Sequence, residues 1–169
     1  MERLESELGW AAGIVDGEGH IGLRRTSPGY RQVVSFCALV MVANTNAAII
    51  QRFGQIVGGG IIIKKASQNP RKWKPCFVWT ANGRHAAHVC QLLLPYLVKH
   101  EQAQLVCEAV TLVLPPSGNK GRRNPNLAQL QRLYDRLRVL NRRGPREDDL
   151  VTSPPEHDLP QIDLLFRGK

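Results

Sequence analysis

Between Glu18 and Glu101 the sequence contains no aspartate and no glutamate, although the chain carries 14 acidic residues in all. The same interval holds Arg24, Arg25, Arg31, Arg52, Lys64, Lys65, Arg71, Lys72, Lys74, Arg84 and Lys99. Such clearing suits a surface that faces phosphates, where a stray carboxylate would repel the backbone and each neutralised phosphate releases counterions. The net charge of +9 and a pI near 9.9 agree with a polyanionic partner. Charges that were merely solvated would not require the acids to be absent.

Other absences narrow the class further. No apolar run approaches the roughly 20 residues that a membrane-crossing helix needs. The opening Met-Glu-Arg-Leu-Glu-Ser-Glu has neither the basic start nor the apolar core of a signal peptide, so the chain is expected to stay in the compartment where it is made. Cys37, Cys76, Cys90 and Cys107 are widely separated in apolar sequence without a C-x-x-C spacing, which predicts buried free thiols in a reducing environment. The His85-x-x-His88-x-Cys90 cluster lacks the partner pair of a closed zinc site. No long internal repeat is present, and 169 residues suit one domain.

What is present alternates between two periodicities. Leu4, Leu8, Ala11, Ala12 and Val15 recur at helical spacing, predicting a first helix over residues 2–16 that ends at Asp16-Gly17-Glu18-Gly19. Two β-rich runs, 20–25 and 31–43, flank Ser27-Pro28-Gly29 and read as a hairpin. Asn44-Thr45-Asn46 offers a cap for a second helix carrying Ile49, Ile50, Phe53 and Ile56, closed by Gly58-Gly59-Gly60. A second strand pair, 61–65 and 72–80, precedes helical patterns over 84–94 and 99–114, broken at Pro95. A Pro/Gly linker at 115–121 leads to an amphipathic helix over 125–141. The expected division is a core over 1–143 and a Pro-rich tail over 144–169 with a short helix near 162–166.

A helix of small residues that ends at a carboxylate can present that group without surrounding bulk. Hard cations such as Mg²⁺ take oxygen ligands and keep several waters, so one or two carboxylates plus substrate phosphates can complete a site. Taken alone, Asp16 and Glu18 also suit an ordinary helix-to-strand turn.

The full string at 11–19, Ala-Ala-Gly-Ile-Val-Asp-Gly-Glu-Gly, resembles the nine-residue signature of the LAGLIDADG homing endonucleases, with Ala11 for the usual first leucine and Glu18 for the commoner aspartate. The order α-β-β-α-β-β-α-α is that of the family's single-motif branch, and the resemblance runs from about Leu8 to Arg143. It implies an α+β fold, an αββαββα core with extra C-terminal helices and a saddle-shaped antiparallel sheet. It further implies a homodimeric, Mg²⁺-dependent, site-specific DNA endonuclease acting on double-stranded DNA, with Mn²⁺ or Ca²⁺ as other occupants of the metal site. A non-cutting intron maturase or DNA-binding regulator on the same fold is the alternative.

Carried over by resemblance, Glu18 and the Gly17 carbonyl would bind metal, and Glu18, Asn44 and Lys99 would form the catalytic set. Asn44 follows Val42-Ala43 at a strand end, and Lys99 lies in Pro95-Tyr96-Leu97-Val98-Lys99-His100-Glu101-Gln102-Ala103. Ala11, Ala12 and Gly13 would pack two first helices about a two-fold axis. Arg24, Arg25, Tyr30, Arg31, Gln32, Lys64, Lys65, Lys72 and Lys74 are the expected DNA contacts of the sheet. Arg142 and Arg143, in a segment resembling a backbone-contacting loop, are expected phosphate ligands.

Overall fold

The computed structural model describes residues 2–26, 34–66, 74–113 and 124–142. Its helices and strands are α1 (Glu2–Glu18), β1 (Gly19–Thr26), β2 (Ser35–Asn44), α2 (Ala47–Val57), β3 (Ile61–Lys65), β4 (Cys76–Asn82), α3 (Gly83–Leu93), α4 (His100–Leu112) and α5 (Leu127–Leu140). A single 3₁₀ turn at Leu94–Tyr96, containing Pro95, separates α3 from α4. The expected tail helix near 162–166 lies outside the described residues.

The strands form one antiparallel sheet in the order β1-β2-β4-β3. Its pleat separates the faces, with Val78 on the outer side as a buried exception. Ile21 and Leu23 on β1, Phe36, Ala38, Val40 and Val42 on β2, and Trp79 and Ala81 on β4 are buried in the core with residues of all five helices. The alternate positions form the opposite, outer face.

Helix α1 runs two residues past its expected end at Asp16, and β1 begins without an intervening loop. Gly19 makes that junction possible: a Cβ there would lie 2.6 Å from the Val15 carbonyl oxygen. Leu8, Ala11, Ala12 and Val15 are the buried stripe of α1, so its small residues let the helix settle close to its own sheet and neighbouring helices.

The Gly58-Gly59-Gly60 turn closes α2 for a similar reason. All three glycines have positive φ, and a Cβ on Gly60 would fall 2.2 Å from Trp79 Nε1. Trp79 Nε1 donates to the Gly59 carbonyl at 3.0 Å, while the Phe53 ring meets the indole edge-on at 4.9 Å. This fully buried tryptophan thereby fixes the entry into β3.

At the other end, α5 packs through Leu130, Leu133, Leu137 and Leu140, and Arg136 donates twice to one oxygen of Glu101 on α4. Just past α5, Asn141 Nδ2 donates to the Ile21 carbonyl on the open edge of β1 at 2.9 Å.

Three of the four cysteines depart from expectation. Cys90 is buried, but Cys37, Cys76 and Cys107 are only partly so, and all four are free thiols. Cys37 and Cys76 occupy outer-face positions of β2 and β4, opposite the helix-bearing face.

Gly60→Ala combines a left-handed backbone with an overlap against a buried indole. It is expected to lower the unfolding free energy by about 2–4 kcal/mol, read from urea denaturation curves.

Candidate active site

The junction between α1 and β1 carries two carboxylates with different fates. Asp16 is half-buried and turned inward, its Oδ2 accepting from the Val98 amide at 2.8 Å and its Oδ1 from the Lys99 amide at 2.9 Å. It therefore caps the start of α4, whose N-cap residue is Lys99, by the same chemistry as a local aspartate cap. Glu18, the last residue of α1, is exposed and makes no hydrogen bond or ion pair within the described part of the chain. One acid is consumed by structure and the other is presented to solvent.

Lys99 bridges the same junction from the other side. Its Nζ donates to the carbonyl oxygens of Val15 at 3.0 Å and Gly19 at 2.9 Å. A cation at this place complements the partial negative charge of the α1 C-terminus and offsets the two acids collected there. Partial burial pushes the Lys99 ammonium below its usual pKa, against an opposing upward pull from Asp16.

Asn44 closes β2 opposite Phe77. Since Gly19 pairs with Val42, the register sets Asn44 at the end of the sheet from which Glu18 emerges. Its Oδ1 accepts from the Asn46 amide at 2.8 Å, forming a turn whose next residue, Asn46, caps α2 through the Ala48 amide. The topology thus brings Gly17, Glu18, Asn44 and Lys99 to one end of the sheet, with only Lys99 bonded directly to the α1–β1 junction.

Sequence reasoning passed over His20. It holds the first outer-face position of β1 after the junction, and its ring folds back over Gly22, where a Cβ would lie 2.7 Å from Nε2. Desolvation of the ring and then the nearby Lys99 charge push its pKa down. The available signal was its parity with Arg24 in a strand whose Ile21 and Leu23 face inward.

The expected DNA contacts divide between the two faces. Arg24 and Lys65 leave from the outer face, and Lys74 is exposed just before β4. Arg25 pairs with Phe36 and Lys64 with Phe77, so both leave from the helix-bearing face. Arg25 lines a groove there with Val34, Asn124 and Gln131. Neither occupies an outer-face position, because a one-residue step along a strand reverses the side-chain direction. Arg142 is exposed directly after Asn141 and so sits beside the β1 edge. Tyr30, Arg31, Gln32, Lys72 and Arg143 lie outside the described residues.

The expected dimer contacts Ala11, Ala12 and Gly13 divide in the same way. Ala11 and Ala12 are 0% exposed within a single chain and belong to its own core, whereas Gly13 is exposed. The open face of α1 is instead the column Gly9, Gly13 and Gly17, at none of which would a Cβ meet anything within 4 Å. The hydrophobic periodicity marked the small residues of this helix but not which of them point inward.

No protein-family model and no curated protein matches the sequence. Among solved structures, the chain is similar to the homing endonuclease I-CvuI, determined with DNA targets in the presence of Mg or Ca. The better superposition has a TM-score of 0.69 at 22% identity, covering 86% of this chain and 88% of that one. The archaeal intron-encoded homing endonuclease I-Vdi141I, complexed with DNA, gives 0.64 at 17% identity over 85% of this chain and 89% of that one. The LAGLIDADG homing endonuclease I-GzeII, also in complex with a DNA target, gives 0.57 at 9% identity over 83% of this chain but 46% of that one. The fold is that of the LAGLIDADG homing endonucleases, as the signature at 11–19 implies.

The two junction carboxylates are separable by stability. Asp16→Ala strands two amides and is expected to cost about 2–3 kcal/mol, whereas Glu18→Gln is expected to stay within about 0.5 kcal/mol of the parent, both measured by chemical denaturation.

Proposed function

We propose that two copies of this chain form a site-specific DNA endonuclease that makes a metal-dependent double-strand break in a long, near-palindromic site, each Glu18 serving one strand. The observation that carries this reading is the exposed, unengaged Glu18 carboxylate at a helix end whose other acid is structurally committed. The fold and the carboxylate-free basic stretch from 19 to 100 support it.

The donor set suits a hard divalent cation. The Glu18 carboxylate, with the Gly17 carbonyl, supplies oxygen ligands and leaves room for waters and phosphate oxygens, as Mg²⁺ requires; Mn²⁺ and Ca²⁺ take the same donors. Such a cation, when bound, polarises the scissile phosphate and lowers the pKa of water. The chain's residues do the rest. Lys99 holds the α1 terminus to the start of β1 and so fixes the direction of Glu18, while its charge favours the developing negative charge of the pentacoordinate phosphorus. Asn44 contributes an amide nitrogen, not used in its turn, for orienting water.

Pairing of two subunits through Gly9, Gly13 and Gly17 lets the two α1 backbones approach closely and brings both Glu18 residues beside the two-fold axis. A C₂ protein matches a near-palindromic site. This chain covers 88% of I-CvuI and 89% of I-Vdi141I but 46% of I-GzeII.

Cleavage of the uninterrupted DNA junction reconstructed from the gene's own surroundings tests the reading. Discrete Mg²⁺-dependent double-strand cutting, abolished by EDTA and reduced at least about a thousandfold by Glu18→Gln with binding retained, is expected. Tight binding without cutting by the parent protein would favour a non-cutting maturase or regulator. Separately, Gly13→Leu is expected to convert the dimer to a folded monomer, measured by sedimentation velocity together with circular dichroism.

A further inference from the structure

The outer face of the sheet is less polar than its basic sequence suggests. Strand register aligns His20, Met41, Thr80 and Ile61 in one row across all four strands. On one side lies Leu39, paired with the exposed Asn82, and on the other the pair Val78–Ile63, of which Val78 is buried. Ile62, by contrast, points toward α2, where its Cδ1 would lie 3.8 Å from a Cβ on Gly54. Ile61 and Ile63 therefore occupy the outer face and remain 60% and 51% exposed, while Leu39 and Met41 are half-buried. Of the row's side chains, only His20 and Thr80 can hydrogen-bond a base.

Two cations bracket this apolar strip. Arg24 stands in the Cys37 row at the far end of β1, and Lys65 stands in the Cys76 row at the opposite end of the sheet, on β3. They mark diagonal corners of the same face. No acid occurs between residues 19 and 100, so every strand carrying the strip is free of carboxylates. An apolar protein surface would match the strip but leave both cations without partners. A nucleic-acid duplex matches both: phosphates at the corners, and between them a groove floor whose one apolar element is the thymine 5-methyl group.

We propose that this face recognises its DNA chiefly through thymine methyl groups, with Leu39, Met41, Ile61 and Ile63 as the specificity-determining side chains and Arg24 and Lys65 as phosphate anchors. The inference rests on the duplex-DNA reading above and adds the chemistry by which the sequence is discriminated. Hydrogen-bond readout of guanine needs Arg or Lys, and of adenine Asn or Gln, aimed at base edges. The His20-Met41-Thr80-Ile61 row and the Val78–Ile63 pair offer neither, and Asn82 beside Leu39 is the one amide side chain in the described central rows. A methyl group entering an apolar surface gains by leaving water, and each such contact discriminates modestly. The preferred half-site is accordingly rich in A·T pairs whose thymines face the sheet.

The test is selection of random-sequence duplexes by the full-length protein in Ca²⁺, followed by resynthesis of the enriched duplex with deoxyuridine for thymidine, which removes only the 5-methyl group. Enrichment of A·T pairs is expected at the positions facing the strip. Each uracil substitution there should weaken binding about twofold to fourfold. Ile61→Gln, at an exposed position that the core does not need, should abolish the uracil effect at one position per half-site while the fold is retained. Enrichment of sites whose affinity does not respond to uracil would overturn the inference and leave the DNA-binding reading standing. Duplex binding with no sequence enrichment would overturn it equally. Failure to bind any duplex would instead bring down the DNA reading on which it depends.

Discussion

The segment Val98–Lys99 and the end of α1 hold each other by an exchange of charge and hydrogen bonds. The Asp16 carboxylate accepts two backbone amides from that segment, and the Lys99 ammonium returns two bonds to the carbonyls of Val15 and Gly19. Four interactions cross a separation of 80 to 84 residues. They tie the first helix, the first strand and the start of α4 into one unit. Everything proposed for Glu18 depends on that unit, because a carboxylate at an unsupported helix end would fray with it.

The same junction explains why a turn of two acids and two glycines works. Gly19 lets β1 start against the helix, and Gly17 leaves the last turn open to solvent. Small residues on α1 serve two opposed purposes: Ala11 and Ala12 bring the helix onto its own core, while Gly9, Gly13 and Gly17 leave its other side flat. The sheet behaves alike, with a core face set by Trp79 and β-branched residues and an outer face proposed to meet DNA. Among the described residues, positive charge on that face lies at its corners, at Arg24 and Lys65, rather than across its centre.

Much of this was legible in the sequence. Helical spacing in α1 and α2, the glycine stop at 58–60, the break at Pro95 and the signature at 11–19 located the elements and pointed to Glu18. Less legible were the directions of individual side chains. Arg24 and Arg25 are neighbours in sequence and lie on opposite faces, and so do Lys64 and Lys65. Strand parity can be read only once the buried face is known, and Ile61-Ile62-Ile63 gives no alternation from which to read it. Ala11, Ala12 and Gly13 are alike in size, so composition could not tell the inward pair from the outward glycine. The engagement of Asp16 with residues 98 and 99 is a tertiary contact with no local trace.

The division of labour between two subunits is the central claim, and a mixed dimer tests it most directly. Parent and Glu18→Gln subunits carrying different affinity tags would be co-expressed, the heterodimer isolated through both tags, and its products on the cognate duplex resolved strand by strand in Mg²⁺. The account predicts a nick in one strand, with the other intact. Double-strand breaks at the parent rate by the heterodimer would contradict it.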